Sequence, residues 1–155
     1  MKGMVVYDTY FGNTKMVAEA IAEQIRADGH EALLYSAREG MPQTLKADFM
    51  FIGSPTRMTK MTGKTKRFVK KLSKSSWGAK PICFFDTIGL GVDRATGRWS
   101  GTAAQKLHDL AKEEGLNARS PVLHTEVKDM KGPLADNAVQ KAKDFAHEVI
   151  SSLGK

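Results

Sequence analysis

Cysteine is almost absent from this chain: Cys83 stands alone among 155 residues, so no disulfide can form within it. That scarcity is typical of proteins from a reducing compartment and predicts a cytoplasmic location. Cys83 lies in the apolar run PICFF, which indicates a core position rather than a reactive thiol. The sequence also has no apolar stretch near the roughly 20 residues of a membrane span. Because a strand-like pattern begins at the N-terminus, we expect no signal peptide.

Acidic residues are absent from Phe49 to Phe85, although the chain as a whole carries 17 of them. The same stretch holds nine cationic residues: Arg57, Lys60, Lys64, Lys66, Arg67, Lys70, Lys71, Lys74 and Lys80. A field of one sign attracts an acidic partner or holds a polyanion. The alternative interpretation is a lysine-rich helix face that is merely solvated.

Several chemistries lack their sequence signatures. The chain has four histidines: His30, His108, His124 and His147. None of them stands at metal-ligand spacing from another histidine or from the cysteine. We therefore expect no metal site. No G-x-S-x-G elbow or P-loop is present, and no residue is expected to act as a catalytic acid or base. Nucleic-acid binding is disfavoured, because the lysines are not interleaved with aromatic residues that could stack on bases.

Apolar periodicity predicts five strands that alternate with four helices. The strands are expected near 2–7, 31–36, 48–53, 80–86 and 120–125, and the helices near 13–28, 62–75, 100–115 and 134–152. Pro133 is expected to open the last helix. Such alternation predicts an α/β fold, a single domain over 1–155 in which helices cover both faces of a parallel sheet.

The segment VVYDTYFGNT at 5–14 joins the first strand to the first helix. A helix N-terminus offers unpaired N–H groups and a partial positive charge, which suit an anion. Thr9, Asn13 and Thr14 add side-chain partners, and Gly12 permits a close backbone approach. This segment therefore predicts a phosphate site.

Two further irregular segments follow the third and fourth strands, SPTRMTKM at 54–61 and TIGLGVDRATGRW at 87–99. Loops as long as the second one are usually functional in a compact domain. The carboxyl ends of parallel strands meet at one edge of the sheet, where open α/β sheets bind their ligands. We therefore expect all three loops to line one site.

These features resemble the flavodoxin family over nearly the whole chain. The family's phosphate loop has the form Ser/Thr-x-Ser/Thr-Gly-x-Thr, and residues 9–14 read TYFGNT. GSPT at 53–56 resembles the start of the second flavin loop, and 87–101 matches the third in place and length. The resemblance implies a flavodoxin-like, short-chain fold, a three-layer sandwich whose five-stranded parallel sheet has the order 2-1-3-4-5, and FMN as cofactor.

The resemblance also implies a role for each loop. The phosphate is expected at Thr9, Tyr10, Phe11, Gly12, Asn13 and Thr14. One side of the flavin ring is expected at Ser54, Pro55, Thr56, Arg57 and Met58, and the other at Thr87, Ile88, Gly89, Leu90, Gly91 and Trp99.

Three departures from the family pattern have consequences. Phe11 replaces a hydroxyl residue of the phosphate loop, so one phosphate hydrogen bond is expected to be missing. The second loop offers Met58 and Met61 in place of an aromatic shield, which leaves Trp99 as the candidate for stacking on the flavin. The basic stretch contrasts with the acidic surroundings usual in flavodoxins, and it should make the flavin easier to reduce.

The resulting interpretation is an FMN-binding electron-transfer protein whose partner is an acidic redox protein or a reductase. One alternative is an FMN oxidoreductase of the quinone reductase or protoporphyrinogen oxidase type, with a quinone or porphyrinogen as substrate. Another is an interaction module that has kept the fold and lost the flavin, an alternative supported by Phe11 alone.

Overall fold

The computed structural model describes residues 1–90 and 101–154. Strands and helices alternate in the order β1 (Lys2–Tyr7), α1 (Asn13–Ala27), β2 (Glu31–Ser36), β3 (Phe49–Pro55), α2 (Gly63–Leu72), β4 (Ile82–Gly89), α3 (Ala103–Glu113), β5 (Leu123–Val127) and α4 (Ala138–Leu153). A short 3₁₀ helix, Ala37–Glu39, follows β2.

The five strands form one parallel sheet in the order β2-β1-β3-β4-β5, which confirms the predicted topology. The central register places Val5 beside Leu34 of β2 and Phe51 of β3. Residues Phe49 to Ser54 of β3 are buried without a break. Continuous burial is expected when helices cover both faces of a parallel sheet.

Alternate side chains of each strand enter two separate cores. Val5, Phe51 and Phe85 pack under α1 and α4 on one face, together with Phe145. On the other face, residues such as Val6, Ile52 and Phe84 pack under α2 and α3. Cys83 lies in the first core, and burial raises the pKa of its thiol to about 12. The prediction of a core position for Cys83 is therefore confirmed.

Several predicted boundaries were wrong. β3 continues to Pro55, so Ser54 and Pro55 belong to a strand, and β5 spans Leu123–Val127 instead of 120–125. β4 continues to Gly89, so Thr87, Ile88 and Gly89 belong to a strand and not to a loop. The last helix begins at Ala138, and Pro133 lies in the loop before it. In that loop the Lys128 N–H donates to the Pro133 carbonyl, and the Ala135 N–H donates to that of Glu126. These bonds fold the loop back on the end of β5.

The strands β1, β3 and β4 are neighbours, and their carboxyl ends meet at one edge of the sheet. The segments that follow β1 and β3, and the end of β4 itself, therefore converge there. Within the described residues, no helix is both long enough and apolar enough to cross a membrane.

Candidate functional site

A cleft of about 310 Å³ opens at the carboxyl edge of β1, β3 and β4. It is lined by Thr9, Tyr10, Phe11, Asn13, Thr14, Pro55, Thr56, Arg57, Met58, Thr87, Ile88, Gly89, Val127 and Met130. The segments before α1 and after β3, together with the end of β4, thus meet at one site. The sequence predicted this meeting, and the segment after β5 adds a fourth wall.

The turn into α1 is shaped by Gly12, whose φ of 92° lies in the left-handed region. Its N–H donates to Thr9 Oγ1 at 2.9 Å, so this group is used inside the loop. No side chain caps the N-terminus of α1, whereas threonine hydroxyls cap those of α2 and α3. An uncapped helix end offers backbone N–H groups and a partial positive charge to an anion.

Two buried hydroxyl groups meet at the base of the cleft. Thr14, in the first turn of α1, and Thr87, near the end of β4, place their Oγ1 atoms 2.8 Å apart. Each hydroxyl carries one hydrogen, and the contact between them uses only one. The second hydrogen is therefore available to donate to a ligand oxygen in the cleft.

The loop of residues 9–14 is held from behind by an ion pair between the buried Asp8 and the half-exposed Arg38. Asp8 is 1% exposed, and its Oδ1 accepts from Arg38 Nε at 2.6 Å and from the Thr9 N–H at 2.9 Å. Arg38 also donates to the Thr9 carbonyl at 3.2 Å. The bond to Asp8 raises the pKa of Arg38. Among the described residues, Asp8 Oδ2 has no hydrogen-bond partner.

Two guanidinium groups lie over the ring of Tyr10 at the mouth of the cleft. The ring centroid is 5.4 Å from the central carbon of Arg38 and 4.6 Å from that of Arg57. Cation–π contacts of this kind join the phosphate loop to the segment after β3. They also place two positive charges beside the cleft.

The segment after β3 contains a tight turn from Arg57 to Lys60. These two residues exchange backbone hydrogen bonds of 2.9 Å in both directions. The residues between them, Met58 and Thr59, have φ angles of 50° and 69°. Positive φ at both central positions is the geometry of a type I′ turn, which normally uses Asn-Gly. Met58 is 73% exposed and lines the cleft.

The segment after β5 was not expected at the site. Met130 lines the cleft beside Val127, the last residue of β5, and Lys131 Nζ lies 6.0 Å from the Phe11 ring centroid. A Cβ placed on Gly132 would lie 2.7 Å from Asn13 Oδ1, so this loop packs closely against the start of α1. No familiar motif marks the segment in the sequence.

Most predicted site residues line the cleft, and among those that the structure describes three do not: Gly12, Ser54 and Leu90. Ser54 is fully buried: its Oγ donates to the Pro55 carbonyl and accepts from the Thr62 N–H. Gly12 shapes the turn without lining the cleft. Leu90 is exposed and does not line the cleft either. The predictions for Gly91 and Trp99 fall outside the described residues.

The donors present fit a phosphate ester that carries a flat ring system. The phosphate can be met by hydroxyl groups, by an uncapped helix terminus and by nearby guanidinium groups. The remainder of the cleft combines apolar side chains with strand backbone at Gly89. Residues 1–90 and 101–154 contain no group of three His, Cys, Asp or Glu side chains placed to hold a metal ion.

Comparisons with known proteins point in one direction. A family model described as a flavodoxin domain matches residues 4–123. A curated flavodoxin of Aquifex aeolicus is 39% identical over 93 residues, which cover 57% of this chain and 50% of the relative. An uncharacterized protein of Methanocaldococcus jannaschii is 27% identical over 120 residues, which cover 74% of this chain and 28% of that protein. The matches thus span half or less of these curated relatives.

Solved structures agree over the full length of the chain. A flavodoxin from the domain Archaea superposes with a TM-score of 0.81 at 27% identity, and the match covers 100% of both chains. Oxidised Flavodoxin 1 from Bacillus cereus gives a TM-score of 0.77 at 19% identity, covering 97% of this chain and 98% of that one. At that lower identity the second likeness supports the fold alone.

Proposed function

The chain belongs to the flavodoxin family, and on that premise we propose that it binds FMN in the cleft and carries electrons between redox proteins. The observation that carries the proposal is the junction of β1 and α1. There the uncapped helix terminus and the Thr14–Thr87 hydroxyl pair open into the same cleft. A phosphate at this junction gains charge-assisted hydrogen bonds, which are stronger than neutral ones.

We assign the phosphate to the loop of residues 9–14 and the ring to the space between the β3 and β4 ends. Pro55, Thr56, Arg57 and Met58 bound that space on one side, and Thr87, Ile88 and Gly89 bound it on the other. Ser54 acts indirectly, because its hydroxyl anchors the Thr62 N–H and so holds the loop after β3. Gly91 and Trp99 stay proposed ring contacts on the sequence pattern alone.

When bound, FMN supplies the redox chemistry, and the protein supplies binding, orientation and electrostatics. Arg38 holds Asp8 and the Thr9 carbonyl, and so fixes the phosphate loop. Arg57 adds positive charge at the cleft mouth, where it favours the more negative, reduced form of a bound group. No residue is required as a general acid or base.

The partner proposed for this protein is an acidic redox protein or reductase. Six cationic residues are exposed on α2 and on the turn after it. They are Lys64, Lys66, Arg67, Lys70 and Lys71 of the helix and Lys74 of the turn. Complementary charge speeds the encounter of two proteins and fixes their orientation. The single cysteine supports the further proposal of a cytoplasmic location.

The proposal is tested by reconstitution with FMN, followed by two assays. We expect one FMN per chain by absorption, and rapid electron exchange with an acidic ferredoxin in stopped-flow measurements. We expect no steady-state turnover with NAD(P)H and quinones, or with a porphyrinogen. Failure to bind FMN would indicate a flavin-free interaction module, and efficient turnover of either substrate would indicate an oxidoreductase.

A further inference from the structure

A second, smaller pocket lies between α2 and the 3₁₀ helix Ala37–Glu39. Its volume is about 60 Å³, enough for one small polar group and not for a second cofactor. It is lined by Ala37, Arg38, Gly40, Met41, Lys64, Arg67, Phe68 and Lys71. The roles proposed above use Arg38 and the charge of α2, but they assign no ligand to the pocket itself.

The walls of the pocket are fixed by local bonds and by the core. Phe68 and Ala37 are buried and form part of its floor. The Tyr35 hydroxyl donates to the Gly40 carbonyl at 3.0 Å, and Ser36 caps the 3₁₀ helix by accepting from the Arg38 N–H. The pocket is therefore part of the folded structure rather than a gap between mobile side chains.

Four cationic side chains line this pocket, and no carboxylate does. Lys64, Arg67 and Lys71 recur at spacings of three and four residues, so they share one face of α2. Arg38 completes the set from the opposite wall, where Asp8 neutralises part of its charge. Glu39 is the acidic neighbour, and its charge contributes, after burial, to the raised pKa of Tyr35. The pocket keeps an excess of positive charge.

Arg38 also connects the pocket to the cleft. Arg38 lines the pocket, and its guanidinium lies over the ring of Tyr10, which lines the cleft. Four residues that line the cleft are large, apolar and exposed: Tyr10, Phe11, Met58 and Met130. Aromatic, methionine and arginine side chains are the types enriched in protein interfaces. An apolar rim beside a cationic pocket thus forms one continuous surface.

We propose that this pocket anchors a carboxylate side chain, Asp or Glu, of the acidic redox protein that exchanges electrons with the cleft. The proposal rests on the proposed function, because it needs a redox partner at the adjacent rim. A protein carboxylate suits a pocket of this size, and the Arg67 guanidinium can bind a carboxylate through paired N–H donors. The apolar rim favours a protein over a nucleic acid, whose backbone would follow charge alone.

The experiment compares two double variants of the FMN-loaded protein that remove equal charge from the same helix. R67Q/K71Q removes two cationic side chains that line the pocket, and K66Q/K70Q removes two lysines that do not line it. Arg38 is kept, since it supports the phosphate loop. Binding of an oxidised acidic ferredoxin is measured by calorimetry at about 0.15 M ionic strength, where the Debye length is about 8 Å. A DNA duplex is the second probe.

We expect R67Q/K71Q to weaken ferredoxin binding at least about tenfold, because a buried carboxylate loses charge-assisted bonds. K66Q/K70Q should weaken it at most about threefold, as exposed charges do. Equal losses in the two variants, no binding by the parent, or tighter binding of the duplex than of ferredoxin would overturn the anchor. FMN affinity is measured in parallel. If one of these results is found while the parent binds FMN, only the anchor proposal is overturned. If the parent does not bind FMN, the proposed function itself is overturned.

Discussion

Two segments of the cleft contain turns with positive φ angles, and they place different kinds of residue at those positions. The loop of residues 9–14 turns into α1 through Gly12, a residue that adopts positive φ without penalty. The turn of residues 57–60 places Met58 and Thr59 at positive φ, which side chains with a Cβ rarely adopt. Thr59 is β-branched, so its conformation is the more costly of the two.

The difference separates a preformed binding element from one that is held against its local preference. Every local choice in the phosphate loop agrees with its conformation, and the Asp8–Arg38 pair secures it from behind. The turn after β3 is held by its own pair of backbone bonds and by Lys106, whose Nζ donates to Thr59 Oγ1 at 3.0 Å. Strain of this kind is found at ligand-binding sites.

The largest expected effect is on the phosphate loop. Thr14→Ala removes one of the two hydroxyl groups at the base of the cleft. A hydrogen bond to a charged group is worth about 1.5–3 kcal/mol, so FMN binding should weaken at least about tenfold. Riboflavin, which lacks the phosphate, should bind the variant and the parent alike in a fluorescence titration.

The matched control for Thr14→Ala is Thr65→Ala. Thr65 is also a buried threonine in the first turn of a helix, and its hydroxyl donates to the Thr62 carbonyl away from the cleft. This control should leave FMN affinity unchanged. Equal losses in the two variants would remove Thr14 from the phosphate site.

Gly12→Ala tests whether the loop depends on backbone freedom alone. No atom lies within 4 Å of the added Cβ, so the variant introduces no clash. Positive φ costs a residue with a Cβ about 1–2 kcal/mol, and the free energy of unfolding should fall by that amount. Urea denaturation measures it. Gly63→Ala is the control, since Gly63 also has open space and starts α2, and alanine there should stabilise the helix.

The opposite result is expected for the turn after β3. Replacing Met58 and Thr59 by Asn and Gly supplies the residues that a type I′ turn prefers. The free energy of unfolding should rise by about 1 kcal/mol, even though the Lys106 contact with Thr59 is lost. A decrease in urea denaturation would show that the turn is not strained, and the contrast with the phosphate loop would fail.

Arg57→Glu has the smallest expected effect, on the redox potential of bound FMN. In water, two unit charges 10 Å apart interact by about 0.4 kcal/mol, so a reversal of sign changes the energy by about 0.8 kcal/mol. The potential of the one-electron step that forms the anionic reduced flavin should become more negative by about 35 mV. Lys74→Glu, on the turn that follows α2, is the control for net charge. Equal shifts in redox titration would show that Arg57 has no special place at the cleft.

The features that could be predicted from the sequence are those set by the local preferences of the residues. The strand, the small polar loop with its glycine and the helix of residues 2–27 agree with one another, and the structure follows them closely. The parallel sheet with helices on both faces followed from the alternation of strands and helices, and its strand order followed from the family resemblance. Ser54 was assigned to the ring because GSPT matches a motif, but its hydroxyl is used by Thr62 in a bond that no motif reveals.

The remaining errors have tertiary causes. β4 extends to Gly89 because its last residues pair with Pro55 on one side and with Val127 on the other. The turn at Met58 and Thr59 was not predictable, since neither residue favours positive φ. The loop of residues 128–137 reaches the cleft through bonds back to the end of β5, which leave no periodic signal in the sequence.

The most direct test of the phosphate site is the affinity of the parent protein for FMN against that for riboflavin, measured by fluorescence quenching. The two ligands share the ring and differ by the phosphate. The phosphate is expected to accept one hydrogen bond from the Thr14–Thr87 hydroxyl pair and one from the uncapped N-terminus of α1. Because each such bond to a charged group is worth about 1.5–3 kcal/mol, FMN should bind at least about a hundredfold more tightly. Equal dissociation constants for the two ligands would show that residues 9–14 do not bind a phosphate.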